Sequence, residues 1–136
     1  MDRNVAQLVW SRAGACCEYC RISQQHDEPA FEIDHIIPRK HLGKTIAINL
    51  ALSCFHCNRY KGSNLSGRDP VTRLTAPLFN PRRHKWERHF RSEGPLLVGR
   101  TPVGRATVAT LRINDYLRVL LRKELIEENA VPIRKT

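Results

Sequence analysis

Apolar residues recur along this chain in two rhythms. Near the start, Val5, Leu8 and Val9, with Arg12, fall on one face at a period of 3.6, and Gly14 supplies a stop, which predicts a helix over residues 4–14. Phe31-Glu32-Ile33-Asp34 and Leu50-Ala51-Leu52 predict two short strands. Residues 16–28 read as a knuckle and loop, and Cys54 to about Leu65 as a second knuckle running into a short helix. Ser66-Gly67-Arg68-Asp69-Pro70 is a breaker. Residues 103–128 predict the longest helix: Pro102 suits its start, Ala106, Ala109, Ile113, Leu117, Leu120 and Leu121 lie along one side, and Arg105, Arg112 and Lys123 along another. Between breaker and helix, Leu78-Phe79-Asn80-Pro81 and Trp86…Phe90 serve as packing anchors in an irregular arm. Residues 131–136 read as a loose tail. The pattern predicts an α+β fold in one domain over 1–136: an N-terminal helix (1–15), a small core with two strands and a helix (16–66), and a C-terminal extension (67–136) carrying a long helix.

Composition narrows the class. The 136 residues are 41% hydrophobic and 26% charged, as in a globular domain. No apolar run reaches about 18 residues, so no membrane span is expected. Met1 to Ala6 lacks the apolar stretch of a secretion signal, which points to the cytoplasm. The five cysteines would stay reduced there, favouring metal binding over disulfides. The net charge is +10 and unevenly spread. Six basic residues balance six acidic ones over 1–58, whereas residues 59–91 hold nine basic and two acidic. That step suits a polyanion running from the motif region across the segment after it.

Cys17-Glu18-Tyr19-Cys20 and Cys54-Phe55-His56-Cys57 are two Cys-x₂-Cys pairs, with Cys54 standing 34 positions after Cys20. Each pair closes a tight turn that aims two thiolates at one ion, and four thiolates fill the shell of a tetrahedral zinc. A filled shell leaves no place for a substrate water, so Cys17, Cys20, Cys54 and Cys57 predict a structural Zn²⁺. Cys16 could stand in for Cys17 only with a Cys-x₃-Cys spacing, and Cys17 is preferred.

Between the knuckles lie Ile33-Asp34-His35-Ile36-Ile37-Pro38 and Asn49-Leu50-Ala51-Leu52-Ser53, and beyond the last cysteine comes Asn58-Arg59-Tyr60-Lys61-Gly62. Over about residues 17–62 the sequence resembles the HNH endonuclease family, whose pattern is Asp-His-(Ile/Val)-x-Pro, a central Asn before an apolar strand, then Asn or His followed by x-x-Lys-Gly. The resemblance implies a ββα-metal (His-Me finger) core, DNA cleavage, and a bracing role for Asn49, whose side chain would bond backbone across the loop and orient His35.

The chemistry of these residue types agrees. Imidazole titrates near neutral pH, so His35 is the candidate general base for an attacking water. Asp34 and the amide oxygen of Asn58 suit a hard catalytic ion, Mg²⁺ or Mn²⁺. Asp34 and His35 are adjacent, so on a straight strand they would face opposite sides, and a bend is expected there. Arg59 and Lys61, then Arg39, Arg82 and Arg83, are candidate phosphate contacts, against the alternative of solvated surface. His26 and His41 read as loop surface, His56 as exposed or near substrate, and His84 and His89 as packing groups. The expected partner is DNA, with RNA less favoured. Since one site cuts one strand, a homodimer or a larger nucleic-acid-processing complex would be needed for double-strand cutting. Two other functions compete: a non-catalytic zinc-stabilised nucleic-acid-binding module, which would not need Asp34, His35 or Asn58, and a protein-contact scaffold, against which the charge step at residue 59 argues.

Overall fold

A computed structural model describes residues 1–130. The expected looseness of the last six residues lies outside that range. Helix α1 (Arg3–Ala13) is capped by Asp2, whose carboxylate accepts from Asn4 N at 2.7 Å, and ends on left-handed Gly14. Its buried stripe runs through Val9 and Ala13 with Val5 and Trp10 beside it, while Leu8 faces outward, unlike the expected face. This helix packs on β2 (Leu50–Ser53), which pairs antiparallel with β1 (Glu32–His35) so that Asp34 lies opposite Ala51 and His35 opposite Leu50. Strand β2 is buried along its whole length, which explains its unbroken apolar run. Helix α2 (Phe55–Lys61) follows at once, started by the Cys54 sulfur. The α+β expectation and its ββα core are thus present.

The extension is more regular than the sequence suggested. Strands β3 (Ser66–Arg68) and β4 (Thr75–Pro77) form a hairpin, and the expected breaker is itself strand until Asp69 turns the chain. A single helical turn, α3 (Trp86–His89), leads into a second hairpin, β5 (Phe90–Glu93) and β6 (Leu96–Gly99). Trp86 and Phe90 pack together as expected of anchors, with ring centroids 5.2 Å apart.

The long C-terminal helix is two helices, α4 (Pro102–Thr110) and α5 (Tyr116–Glu127). A tertiary contact overrides helix propensity at the break. The Asn114 amide accepts from Leu97 N and donates to Leu97 O, pinning the linker to β6 as a strand would, and Arg112 adopts a left-handed φ of 50°. The single apolar side predicted for residues 106–121 is therefore split: Ala106 and Ile113 are buried, and Ala109 and Leu117 are exposed.

The segment Thr101-Pro102-Val103-Gly104-Arg105-Ala106-Thr107 is a structural joint. Thr101 caps α4 through Gly104 N, and Thr107 Oγ1 accepts from Phe79 N. A Cβ on Gly104 would lie 1.9 Å from His89 O, so only glycine fits there. Arg105 clamps the buried Asp69 with two hydrogen bonds of 2.9 Å each. The extension is tied to the ββα core by Trp86 Nε1 donating to Tyr19 O at 2.8 Å, by an Arg82–Glu18 ion pair, and by an Arg118–Asp27 pair at 2.9 Å. Among the described residues no helix is long and apolar enough to cross a membrane.

The Arg105 fork holds the Asp69 carboxyl well below the usual carboxylate range, with burial opposing it and the Val71 amide and Thr72 hydroxyl assisting. A lowered folded-state value means that the stabilisation is complete above the unfolded value of about 3.9 and is lost as pH falls through the folded one. Thermal melts should therefore show Asp69→Asn less stable than wild type at neutral pH, with the gap closing on acidification from about pH 5 towards pH 2.5. A gap that stays constant across that range contradicts the assignment.

Candidate active site and cysteine cluster

The first knuckle is fastened to β2 from both sides of one residue. Glu18 N donates to Leu52 O at 2.8 Å, and the Glu18 carboxylate accepts from Leu52 N at 2.8 Å. This docking brings Cys17 and Cys20 to Cys54 and Cys57, and all four sulfurs lie within 4.8 Å of one another, fully buried. In both knuckles the first sulfur accepts the amide of the second cysteine, at 3.5 Å for Cys17 and 3.3 Å for Cys54. Four thiolates around a tetrahedral zinc at about 2.3 Å stand about 3.8 Å apart. The Cys20 and Cys54 sulfurs are 3.8 Å apart, so the donor set fits a zinc ion. Cys16 is buried but lies outside the cluster. Helix α5 brings positive charge to the sulfurs: Arg118 donates to Cys54 Sγ at 3.7 Å while paired with Asp27. One turn on, Arg122 is fully buried and bonds Pro95 O, Ile113 O and Asn114 Oδ1; burial lowers its pKa and the charge of Cys20 opposes that.

The same first knuckle shapes the neighbouring polar site. The Tyr19 hydroxyl donates to Asp34 Oδ2 at 2.6 Å, and Asp34 is only 5% exposed. From α2, the Lys61 ammonium reaches across to the Asp34 carboxylate at 3.1 Å and to the main-chain oxygens of His35 and Ile36. Burial pushes the Asp34 carboxyl up, while Lys61 and Tyr19 pull it back down; burial and then the Asp34 charge push the Tyr19 hydroxyl well above its ordinary value. His35, half-buried and next along the strand, has Nε2 2.8 Å from Thr45 Oγ1. Beyond it the chain leaves the strand at Ile36 and is clasped by Asn49: Oδ1 accepts from Ile37 N at 2.8 Å, and Nδ2 donates to Ile37 O and Lys44 O. Asn58 is half-buried on α2, three residues before Lys61 and on the same face.

Residues 17–64 match the family described as HNH endonuclease. The match covers about a third of the chain. A Septu protein PtuB from Bacillus thuringiensis is 26% identical over 112 residues, which cover 81% of this chain and 41% of that protein. The chain thus spans about two-fifths of the length of the curated relative it matches. No solved structure matches.

Around this core, the residues singled out from sequence fare differently. Asp34, Lys61 and the His35 carbonyl meet directly. Lys61 is 1% exposed and serves the interior, neither a solvated face nor an open phosphate contact. Arg82 is committed to Glu18, so it too is not a free cation, because the extension folds back onto the first knuckle. Arg39, Arg59 and Arg83 are exposed. His56 is half-buried, bonded to Arg112 O and lying 4.8 Å from the Tyr60 ring. His84 accepts from Asn80 N, and His89 bonds Thr101. Burial lowers the pKa of both. Sequence reasoning missed Tyr19, Thr45, Glu18 and Arg118. Tyr19 and Glu18 had one signal: they sit between two zinc-type cysteines, where side chains turn away from the ion toward the rest of the fold.

The cluster makes a clean distinction between neighbours. Metal analysis of purified protein should find about one zinc per chain in wild type and Cys16→Ser, and loss of zinc with a lowered melting temperature in Cys17→Ser. Retention of zinc by Cys17→Ser with loss in Cys16→Ser would reverse the ligand assignment.

Proposed function

We propose that the chain is a metal-dependent HNH endonuclease that hydrolyses phosphodiester bonds in DNA, with a structural zinc in the four-cysteine cluster. The observation that carries this reading is the crossing of α2 over β1. Lys61 lies on Asp34, and Asn58 stands a turn earlier on the same face of α2, which supports assigning it to the same site. Asp34 and Asn58 would hold Mg²⁺ or Mn²⁺, which when bound supplies positive charge to the phosphate and the departing 3′ oxygen. Asp34 fits in part: a carboxylate has about four acceptor sites, and hydrogen bonds from Tyr19 and Lys61 take two of them.

His35 carries the proton chemistry. In the tautomer that donates Nε2–H to Thr45 Oγ1, Nδ1 keeps its lone pair and can take the proton of an attacking water. Asn49 holds the turn that follows His35, and Lys61 balances the buried Asp34 charge. Arg59, Arg39 and Arg83 are the exposed cations for flanking phosphates. Each site cuts one strand, so a double-strand cut calls for a second copy or a larger complex, and the reduced thiols suit the cytoplasm.

One observation favours a second reading, the non-catalytic nucleic-acid-binding module: the site's one buried carboxylate is already ion-paired with Lys61. Plasmid nicking separates the two. Zinc-loaded protein should nick supercoiled DNA with Mg²⁺ or Mn²⁺ and stop when the ion is chelated. His35→Ala should lose about 100-fold or more in rate, and Thr45→Val about tenfold. Folded protein that binds DNA with strong salt dependence yet never cuts it establishes the binding module instead.

A further inference from the structure

The connection between β1 and β2 presents a side chain that the chemistry above does not use. From His35 to Arg68 the chain contains no acidic residue. Within that stretch Arg39, Lys40 and Lys44 are exposed and form no ion pair among the described residues. At the tip between them stands Leu42, 89% exposed, with φ 68° and ψ 21°. The left-handed region is unfavourable for leucine, and water around its side chain adds a second cost. Leu42, Ile46 and Ile48 are all exposed, and with Lys44 and Arg83 they line one open groove of about 410 Å³.

This tip is rigid. A Cβ on Gly43 would lie 1.6 Å from Ile37 O, so the turn is packed backbone to backbone. Pro38 O accepts from both His41 N and Gly43 N, and His41 Nε2 is 3.0 Å from Ser63 O. Asn49 bonds Lys44 O on the far side of the tip, and Thr45 meets His35. Leu42 is therefore held at a set offset from the His35 imidazole. An apolar point ringed by unpaired cations complements a polyanion with an apolar interior, which is what stacked bases between two phosphate backbones provide.

We propose that Leu42 is a wedge that inserts into the base stack of duplex DNA beside the cleavage site, with Arg39, Lys40 and Lys44 on the flanking phosphates. The inference rests on the nuclease reading. It adds a source of specificity without base-edge contacts: cleavage favours sites next to easily unstacked pyrimidine–purine steps, TA and CA/TG.

The test uses duplexes carrying 2-aminopurine, titrated with zinc-loaded protein while Mg²⁺ is withheld. Leu42→Asn removes the apolar wedge but keeps a residue that tolerates left-handed backbone, and Leu42→Met keeps the wedge. Wild type and Leu42→Met should raise the fluorescence several-fold at one step. Leu42→Asn should abolish that rise and weaken duplex binding about tenfold, with single-strand binding and melting temperature unchanged. Equal fluorescence and affinity for Leu42→Asn and wild type overturn the wedge. So does a wild-type dimer in size-exclusion chromatography that Leu42→Asn dissociates, because the patch would then be a contact between copies. If wild type nicks DNA in Mg²⁺ without any fluorescence change, the wedge alone is wrong. If it neither binds nor nicks duplex DNA, the nuclease reading fails first and takes the wedge with it.

Discussion

Cys17, Cys20, Cys54 and Cys57 hold their sulfurs within 4.8 Å of one another in a buried pocket, although two knuckles far apart in sequence supply them. Four thiols could be buried there without a metal, but four thiolates could not, because their mutual repulsion in a dry interior has no counter-charge. A bound zinc ion would remove two units of that charge, and the remaining two would favour cations from elsewhere in the fold. Arg118 on α5 meets that demand at Cys54 Sγ, which ties the last helix to the second knuckle. Metal binding of this kind is folding free energy in a small domain, whose single core is modest.

The consequence for chemistry is geometric. The knuckle that supplies Cys17 and Cys20 also supplies Glu18, which fastens β2, and Tyr19, which fixes the Asp34 carboxylate. The knuckle that supplies Cys54 and Cys57 starts α2, which delivers Lys61 to the same carboxylate. Asp34 is thus approached from both sides by elements whose positions the cluster sets. His35 is steadied separately, through Thr45 and the Asn49 clasp, within the loop that closes the hairpin. Two small polar networks, one buried and one near the surface, share a boundary at consecutive residues of β1.

Much of this was legible in the sequence because it rests on local patterns. Two cysteine pairs, Asp34-His35, Asn49 and Asn58 at their spacings, and a Leu-Ala-Leu run are signals that need no knowledge of tertiary contacts. What was not legible depended on long-range partners. Nothing local around Asn114 says that its amide completes a strand ladder with Leu97 and breaks a helix whose periodicity continues across it. Strands of three or four residues, such as β3 and β4, leave too little alternation to see. Lys61 and Arg82 sit in a strongly basic segment and resemble surface cations until Asp34 and Glu18 are placed beside them. The Thr101–Thr107 joint depends on the approach of Gly104 to His89 O, a distance no spacing encodes.

The central claim is that a thiolate-held zinc positions β1 and α2 so that Asp34 and Asn58 can share a second, oxygen-bound ion beside His35. Anomalous scattering from crystals of the zinc-loaded protein soaked in Mn²⁺ tests it most directly. The account predicts a zinc peak about 2.3 Å from the four sulfurs and a manganese peak about 2.0–2.2 Å from oxygens of both Asp34 and Asn58. A manganese peak elsewhere, or none at all while Lys61 still closes on Asp34, would contradict it.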